Sequence, residues 1–303
     1  MSSTTVLLAG ATGMLGARIA RHLVEAEVVA LRLLVRPAAL AVPGKRSGLD
    51  SLVERGAELV EGDLADPASL RRATEGVDVV VSALQGGREV VVDGQIALAR
   101  AAAANGVRRI LPSDFAVDLF KATPGEHPAF DLRREADEEI AALGMEHVHV
   151  LTGALLDMIA TGGGIIEFDD GAGIATFWGT GGERFDATTV DDTARYAARA
   201  AVDPSVPSGK FAVAGQRVSY GDIVSHVECG TGRRYERRSR GTTDDLRAWI
   251  SGRREEGETT AAMYGTYQLY MLTGQTALDD LQNDRYPDIK PVTLAQLSAE
   301  GAA

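Results

Sequence analysis

The sequence predicts an α/β fold: a doubly wound parallel sheet followed by a smaller C-terminal α+β region. Three observations predict it. Val6-Leu7-Leu8-Ala9 is a short apolar run without charge, as a strand buried on both faces of a parallel sheet requires. Such runs alternate with helical stretches six times before about residue 152, the rhythm of a doubly wound sheet. Beyond residue 152 that rhythm breaks, first at Gly162-Gly163-Gly164. The expected division is therefore 1–151 and 152–303, with a segment of about 186–218 returning to the first region.

The first strand–helix unit carries the chemistry. Gly10, Gly13 and Gly16 follow the strand at the spacing G-x-x-G-x-x-G, and Ala17 to Ala26 reads as a helix with Ile19, Ala20, Leu23 and Val24 on one face. Gly10 permits a tight turn, Gly13 lets backbone amides approach a pyrophosphate, and Gly16 lets the helix pack closely on the strand. The helix N-terminus favours an anion. A strand before the glycines and a helix after them are the context of a Rossmann-type dinucleotide site. Gly10, Thr12, Gly13, Met14, Leu15 and Gly16 are its candidate contacts.

Val29 to Val35 is the second strand, and Arg36 ends it 20 residues beyond Gly16. An acid at this position binds the ribose 2′-hydroxyl of NAD, whereas an arginine accommodates the 2′-phosphate of NADP. Arg36 therefore points to NADP(H), with Lys45 and Arg46 in the following loop adding charge. Leu49 to Arg55 reads as a helix and Glu58 to Glu61 as the third strand. Asp66 and Pro67 start the next helix as N-cap and first residue. Val77 to Ser82 is the fourth strand, with a short glycine-rich exit, and Asp93 to Asn105 a helix. Val107 to Leu111 is the fifth strand, Phe130 to Leu143 a helix and Glu146 to Leu151 the sixth strand. Ligands bind at the carboxyl ends of such strands. Ser82, Ala83 and Leu84, with Pro112, Ser113 and Asp114, are the candidate cofactor contacts there.

In the C-terminal half, residues 171–185 read as a hairpin turning at Gly179, Gly181 and Gly182. Thr189 to Ala201 and Tyr220 to Gly230 read as helices, and Lys210 to Ala214 as a strand. Arg233 to Arg240 reads as a solvated basic loop. Tyr264, Tyr267 and Tyr270 form a stripe more typical of core or interface than of a substrate pocket.

Composition narrows the function. The 31 basic and 43 acidic residues give a net charge of −12, which argues against non-specific binding to nucleic acid or anionic membranes. One cysteine, Cys229, excludes an intrachain disulfide and fits a reducing, cytoplasmic setting. No signal peptide and no membrane span are expected. No metal-ligand spacing stands out, and His147 and His149 alternate along a strand with no carboxylate partner expected nearby.

Six stretches carry a family resemblance: GATGMLG (10–16), LLVRP (33–37), EGDLADPASL (61–70), VDVVVSALQG (77–86), RRILPSDFAVD (108–118) and DRYPDIKPVTLAQL (284–297). With them the chain resembles the NmrA-like, isoflavone-reductase-like branch of the atypical short-chain dehydrogenases, which includes phenylcoumaran benzylic ether reductases. The resemblance implies a Rossmann domain with a smaller substrate domain, NADPH as cofactor, and a catalytic lysine on the helix after the P-S-[DE]-F strand exit. Aligned on Phe130, that position is Arg133, and Lys121 is the nearest upstream lysine. An arginine stays charged and is no general base, yet it stabilises a developing oxyanion. Tyr286 and Lys290 match a Y-x-x-x-K pattern, but Pro287 and their late position argue for coincidence.

The leading expectation is an NADPH-dependent reductase transferring hydride to a small aromatic or conjugated carbonyl, ether or imine, with Arg133 or Lys121 in the catalytic role. The alternative is an NmrA-type regulator that senses NADP(H) without turnover. An epimerase or dehydratase of the extended short-chain class ranks third. A homodimer is compatible with each reading.

Overall fold

A computed structural model describes residues 3–300. The chain opens with β1 (Thr4–Ala9), α1 (Met14–Val24), β2 (Val29–Val35), α2 (Pro37–Leu40), α3 (Pro43–Glu54) and β3 (Glu58–Glu61). It continues through α4 (Pro67–Thr74), β4 (Val79–Ser82), α5 (Gln95–Ala104), β5 (Arg109–Leu111), α6 (Pro128–Ala141) and β6 (Glu146–Leu151). Then come β7 (Ala154–Leu155), α7 (Leu156–Ile159), β8 (Glu167–Asp169), β9 (Ile174–Phe177), β10 (Phe185–Thr188), α8 (Val190–Val202), β11 (Gly209–Ala212) and β12 (Gln216–Val218). The chain closes with α9 (Tyr220–Thr231), β13 (Glu236–Ser239), α10 (Thr243–Glu255), α11 (Thr259–Thr273) and α12 (Leu294–Glu300).

Seven strands form one sheet in the order β11-β6-β5-β4-β1-β2-β3. Every pairing from β3 through to β6 is parallel. The expected doubly wound sheet is thus present, with the strand order reversing between β1 and β4. Its apolar runs explain the burial: Val6, Leu7 and Leu8, and Val79, Val80 and Val81, are fully buried. Helix α1 buries Ile19, Ala20 and Leu23. Helix α4 starts as expected, with the Asp66 carboxylate accepting from the Ala68 amide and Pro67 in the first turn.

The chain divides into two compact units. One holds the chain through Phe115, Leu132–Val150 and Thr193–Phe211; the other holds Ala116–Asp131, Leu151–Asp192 and the chain from Ala212 onward. In the first unit, Leu7, Val80, Leu98, Ala102, Ile110 and Ile140 belong to one core cluster. Arg109, 1% exposed, is buried beside it. Its guanidinium donates to the carbonyls of Ala200, Asp203 and Val206 and to Glu146. Those carbonyls lie at and beyond the C-terminus of α8, where a cation meets the negative end of the helix dipole.

The second unit has two three-stranded sheets, β12-β10-β7 and β13-β9-β8. The hairpin expected over 171–185 does not form. Strand β9 pairs antiparallel with β8, upstream of it, and parallel with β13; β10 joins the other sheet. Gly179, Gly181 and Gly182 therefore link two sheets. The basic stretch 233–240 is also not a solvated loop. Its residues 236–239 form edge strand β13, and its arginines pair with acids: Arg233 with Asp170, Arg237 with Glu228 and Arg240 with Glu167. The tyrosine stripe divides: Tyr270 is buried, Tyr267 packs on Phe130 and His127, and Tyr264 is exposed.

Several helical starts also differ from expectation: α1 begins at Met14 rather than Ala17, and α6 at Pro128 rather than Phe130. Lys45 and Arg46 lie in α3, which begins at Pro43. A π-helical turn, Glu89–Gly94, precedes α5. Tyr286 and Lys290 share no helix, in keeping with coincidence. Among the described residues no helix is long and apolar enough to cross a membrane.

Candidate functional site

The glycine loop runs from the end of β1 to the start of α1, where the strand order reverses. Gly10 has φ +93°, a region open to glycine, and a Cβ there would lie 2.3 Å from the Ala83 carbonyl oxygen. A Cβ on Gly16 would lie 2.1 Å from the Gly10 carbonyl oxygen. Two of the three glycines thus hold the turn against β4 and α1. Gly13 serves differently. It is the N-cap of α1, it is exposed, and a Cβ there would meet only the Gly10 oxygen, at 3.3 Å. The first turn of α1 carries no acid. Open space, unopposed amide dipoles and no competing carboxylate fit a pyrophosphate. Thr12 and Leu15 are half-buried around this turn, and Met14 is exposed.

Arg36 sits at the end of β2 as the N-cap of α2, exposed and in extended backbone. Lys45 is exposed on α3, and Arg46 beside it pairs with Asp50 at 2.8 Å. The lone pairs and donors of the next two strand exits are tied together by Gln95. This fully buried side chain accepts from the Ser82 hydroxyl at 2.7 Å and from the Ser113 amide at 3.0 Å. The Ser113 hydroxyl donates to the Leu84 carbonyl at 2.7 Å. Ser82, Ala83, Leu84, Pro112, Ser113 and Asp114 are thereby brought together. The sequence shows Gln95 only as an early helical residue; a fully polar side chain in an alanine-rich helix is the signal for its clamping role.

Arg133, on α6, reaches the same edge: its Nε donates to the Ser113 carbonyl at 3.0 Å. Lys121 is elsewhere, in the second unit, where its amine donates to the Ala277 carbonyl and pairs with Asp279.

The largest departure concerns His149. No carboxylate partner for it stands out in the sequence, but the fold supplies two. Nδ1 of His149 lies 2.7 Å from Asp114 Oδ2 and 3.8 Å from Asp137 Oδ2. All three side chains are buried, at 8%, 0% and 5% exposure. Asp114 Oδ1 and both oxygens of Asp137 have no hydrogen-bond donor among the described residues. Burial pushes the Asp137 carboxyl up to about 9; the Asp114 charge adds to the rise and Arg133 opposes it. The available signal is Asp137 itself, an acid set between the fully buried Ala136 and Ile140 on the inner face of α6.

A family model described as the NmrA-like family matches residues 2–288. The chain belongs to the NmrA-like family. Among curated members of related sequence, Pinoresinol reductase 1 from Arabidopsis thaliana is 36% identical over 155 residues, 49% of this chain and 48% of that protein. Phenylcoumaran benzylic ether reductase Pyrc5 from Pyrus communis is 29% identical over 247 residues, 78% of this chain and 77% of that protein. The chain thus spans about half the length of some curated relatives and three quarters of another. Among solved structures, that of AtPrR2 with NADP+ and (+)pinoresinol superposes with a TM-score of 0.83 at 25% identity, covering 98% of this chain and 99% of that one. A crystal structure of isoflavone reductase shares the fold, with a TM-score of 0.85 at 19% identity.

Proposed function

We propose that this NmrA-like protein is an NADPH-dependent reductase of a small aromatic or conjugated substrate. The observation that carries the reading is the built dinucleotide cradle at Gly10–Gly16, in a chain whose fold matches AtPrR2 with NADP+ and (+)pinoresinol over nearly its whole length. The α1 amides at Gly13 and beyond would hold the pyrophosphate. Arg36, with Lys45 in support, would take the 2′-phosphate. Ser82 to Leu84 and Pro112 to Asp114 would line the cofactor at the two strand exits that Gln95 binds together.

When bound, reduced nicotinamide supplies the hydride. Arg133 then acts as a fixed cation. It holds negative charge as it grows on a substrate oxygen, and it carries no proton itself. Lys121 is assigned a structural part through Ala277 and Asp279. The test is loss of NADPH absorbance across a panel of aromatic ketones, enones, benzylic ethers and imines, alongside NADPH and NADH binding by fluorescence. Turnover of one class with preference for NADPH supports the reading.

A second reading rests on one residue. Arg133 stands where the reductases resembled here carry a lysine, which favours an NmrA-type NADP(H) sensor. Tight NADPH binding with no oxidation across the panel selects it.

A further inference from the structure

Asp114, Asp137 and His149 converge from three elements: the exit of β5, the inner face of α6 and the middle of β6. Two buried carboxylates with oxygens within 4.8 Å of each other cannot both stay charged without a compensating partner. Three of their four oxygens have no donor among the described residues. One proton answers both problems. It removes a charge, and it turns the pair into an O–H donor and an acceptor. A divalent cation on the same three side chains is another way to neutralise the set, and the metal content of the purified protein separates the two. Nδ1 of His149 lies 2.7 Å from Asp114 Oδ2 and ties the ring to the pair.

Asp137 lies four residues beyond Arg133, one turn along α6 and on the same side of the helix. We propose that Asp114 and Asp137 share one proton, anchored by His149, and that this singly charged pair is a positioning element that acts through Arg133. An ionised Asp137 would place a second negative charge one turn from the guanidinium. It would offset the field that Arg133 presents to a substrate oxygen. The other charged groups around Asp137 are few. Glu138 is its neighbour on α6, and His147 precedes His149 on β6, the two rings 5.4 Å apart. Arg88 and Arg100 reach α6 from the preceding helical segment, where Glu135 and Glu139 bind them.

The kinetic part of this proposal rests on the reductase reading; the shared proton does not. Two measurements test it. The first is the infrared spectrum of the protein at pH 7. A carboxylic-acid carbonyl band should be present, and absent from Asp137→Asn and Asp114→Asn. The second is the pH profile of kcat/KM with NADPH. Wild type should lose about tenfold between pH 7 and pH 10, an effect of the order expected for one nearby charge, and Asp137→Asn should lose that dependence whatever its absolute rate. No acid band at pH 7, or a stoichiometric divalent metal in the purified protein, overturns the shared proton. An unchanged alkaline fall in Asp137→Asn overturns the role through Arg133. If no substrate is turned over, the reductase reading and that role fall together, and the infrared band alone decides the proton.

Discussion

Replacing Asp137 by asparagine should change how stability depends on pH, with a sign fixed by the burial of the native side chain. The Asp137 carboxyl is raised from 3.8 to about 9 in the folded protein. Between those values the native state holds a proton that the unfolded chain releases. Its stabilising contribution is complete below the unfolded value and is lost as pH rises through the folded one. One such proton changes unfolding free energy by about 1.4 kcal/mol per pH unit. From pH 5 to pH 8 the difference between wild type and Asp137→Asn should therefore swing by up to about 4 kcal/mol, in favour of the variant as pH rises. Asparagine keeps the shape and cannot titrate, so subtraction removes every other ionisation common to both proteins. Urea unfolding at pH 5, 6, 7 and 8, extrapolated linearly to water, measures it. Parallel stability curves for the two proteins would refute the reasoning.

Four further outcomes follow from the geometry. Gly16→Ala, whose Cβ would lie 2.1 Å from the Gly10 oxygen, should abolish NADPH binding in a fluorescence titration. Arg36→Ala should remove about ten- to a hundredfold of preference for NADPH over NADH, the worth of a charge-assisted phosphate contact of about 1.5–3 kcal/mol; equal wild-type affinities would remove the assignment. Arg109→Met should cost about 3–5 kcal/mol in urea unfolding, because it strips the Ala200 and Val206 carbonyls of a buried donor. Arg133→Ala should lower kcat by about 10²–10³ with NADPH affinity held, as for loss of one electrostatic donor; unchanged turnover would take the residue out of the reaction.

The sheet was legible because short apolar-rich runs closed by breakers alternate regularly with helical stretches. Val29–Val35, Glu58–Glu61 and Glu146–Leu151 match the structure to the residue. The glycine loop was legible for a related reason, since close backbone approach demands glycine at fixed spacing. What escaped has distant partners. Strand β13 is exposed along its whole length and charged, so it shows no period, and its pairing with β9 crosses some sixty residues of chain. Without it, the glycines after Phe177 look like a hairpin turn. The π-helical turn before α5 escaped because residue preference does not distinguish one hydrogen-bond step from the next. His149 shows the same limit at the site: its carboxylates come from a helix 12 residues earlier and a strand exit 35 residues earlier, and only the fold joins them.

The chain visits its two units in alternation, and that sets an order on its making. Arg109 leaves the ribosome 97 residues before Val206, one of the carbonyls it must reach. At about 5–20 residues per second, that interval lasts roughly 5–20 seconds. Once β6 is made it has no β11 beside it for the rest of that interval, so β6 is the sheet's edge while Arg109 waits for its carbonyls. Such an edge pairs readily with another chain. Slowing translation before residue 212 therefore lengthens the time for which the longer strand β6 stands at the edge in place of β11.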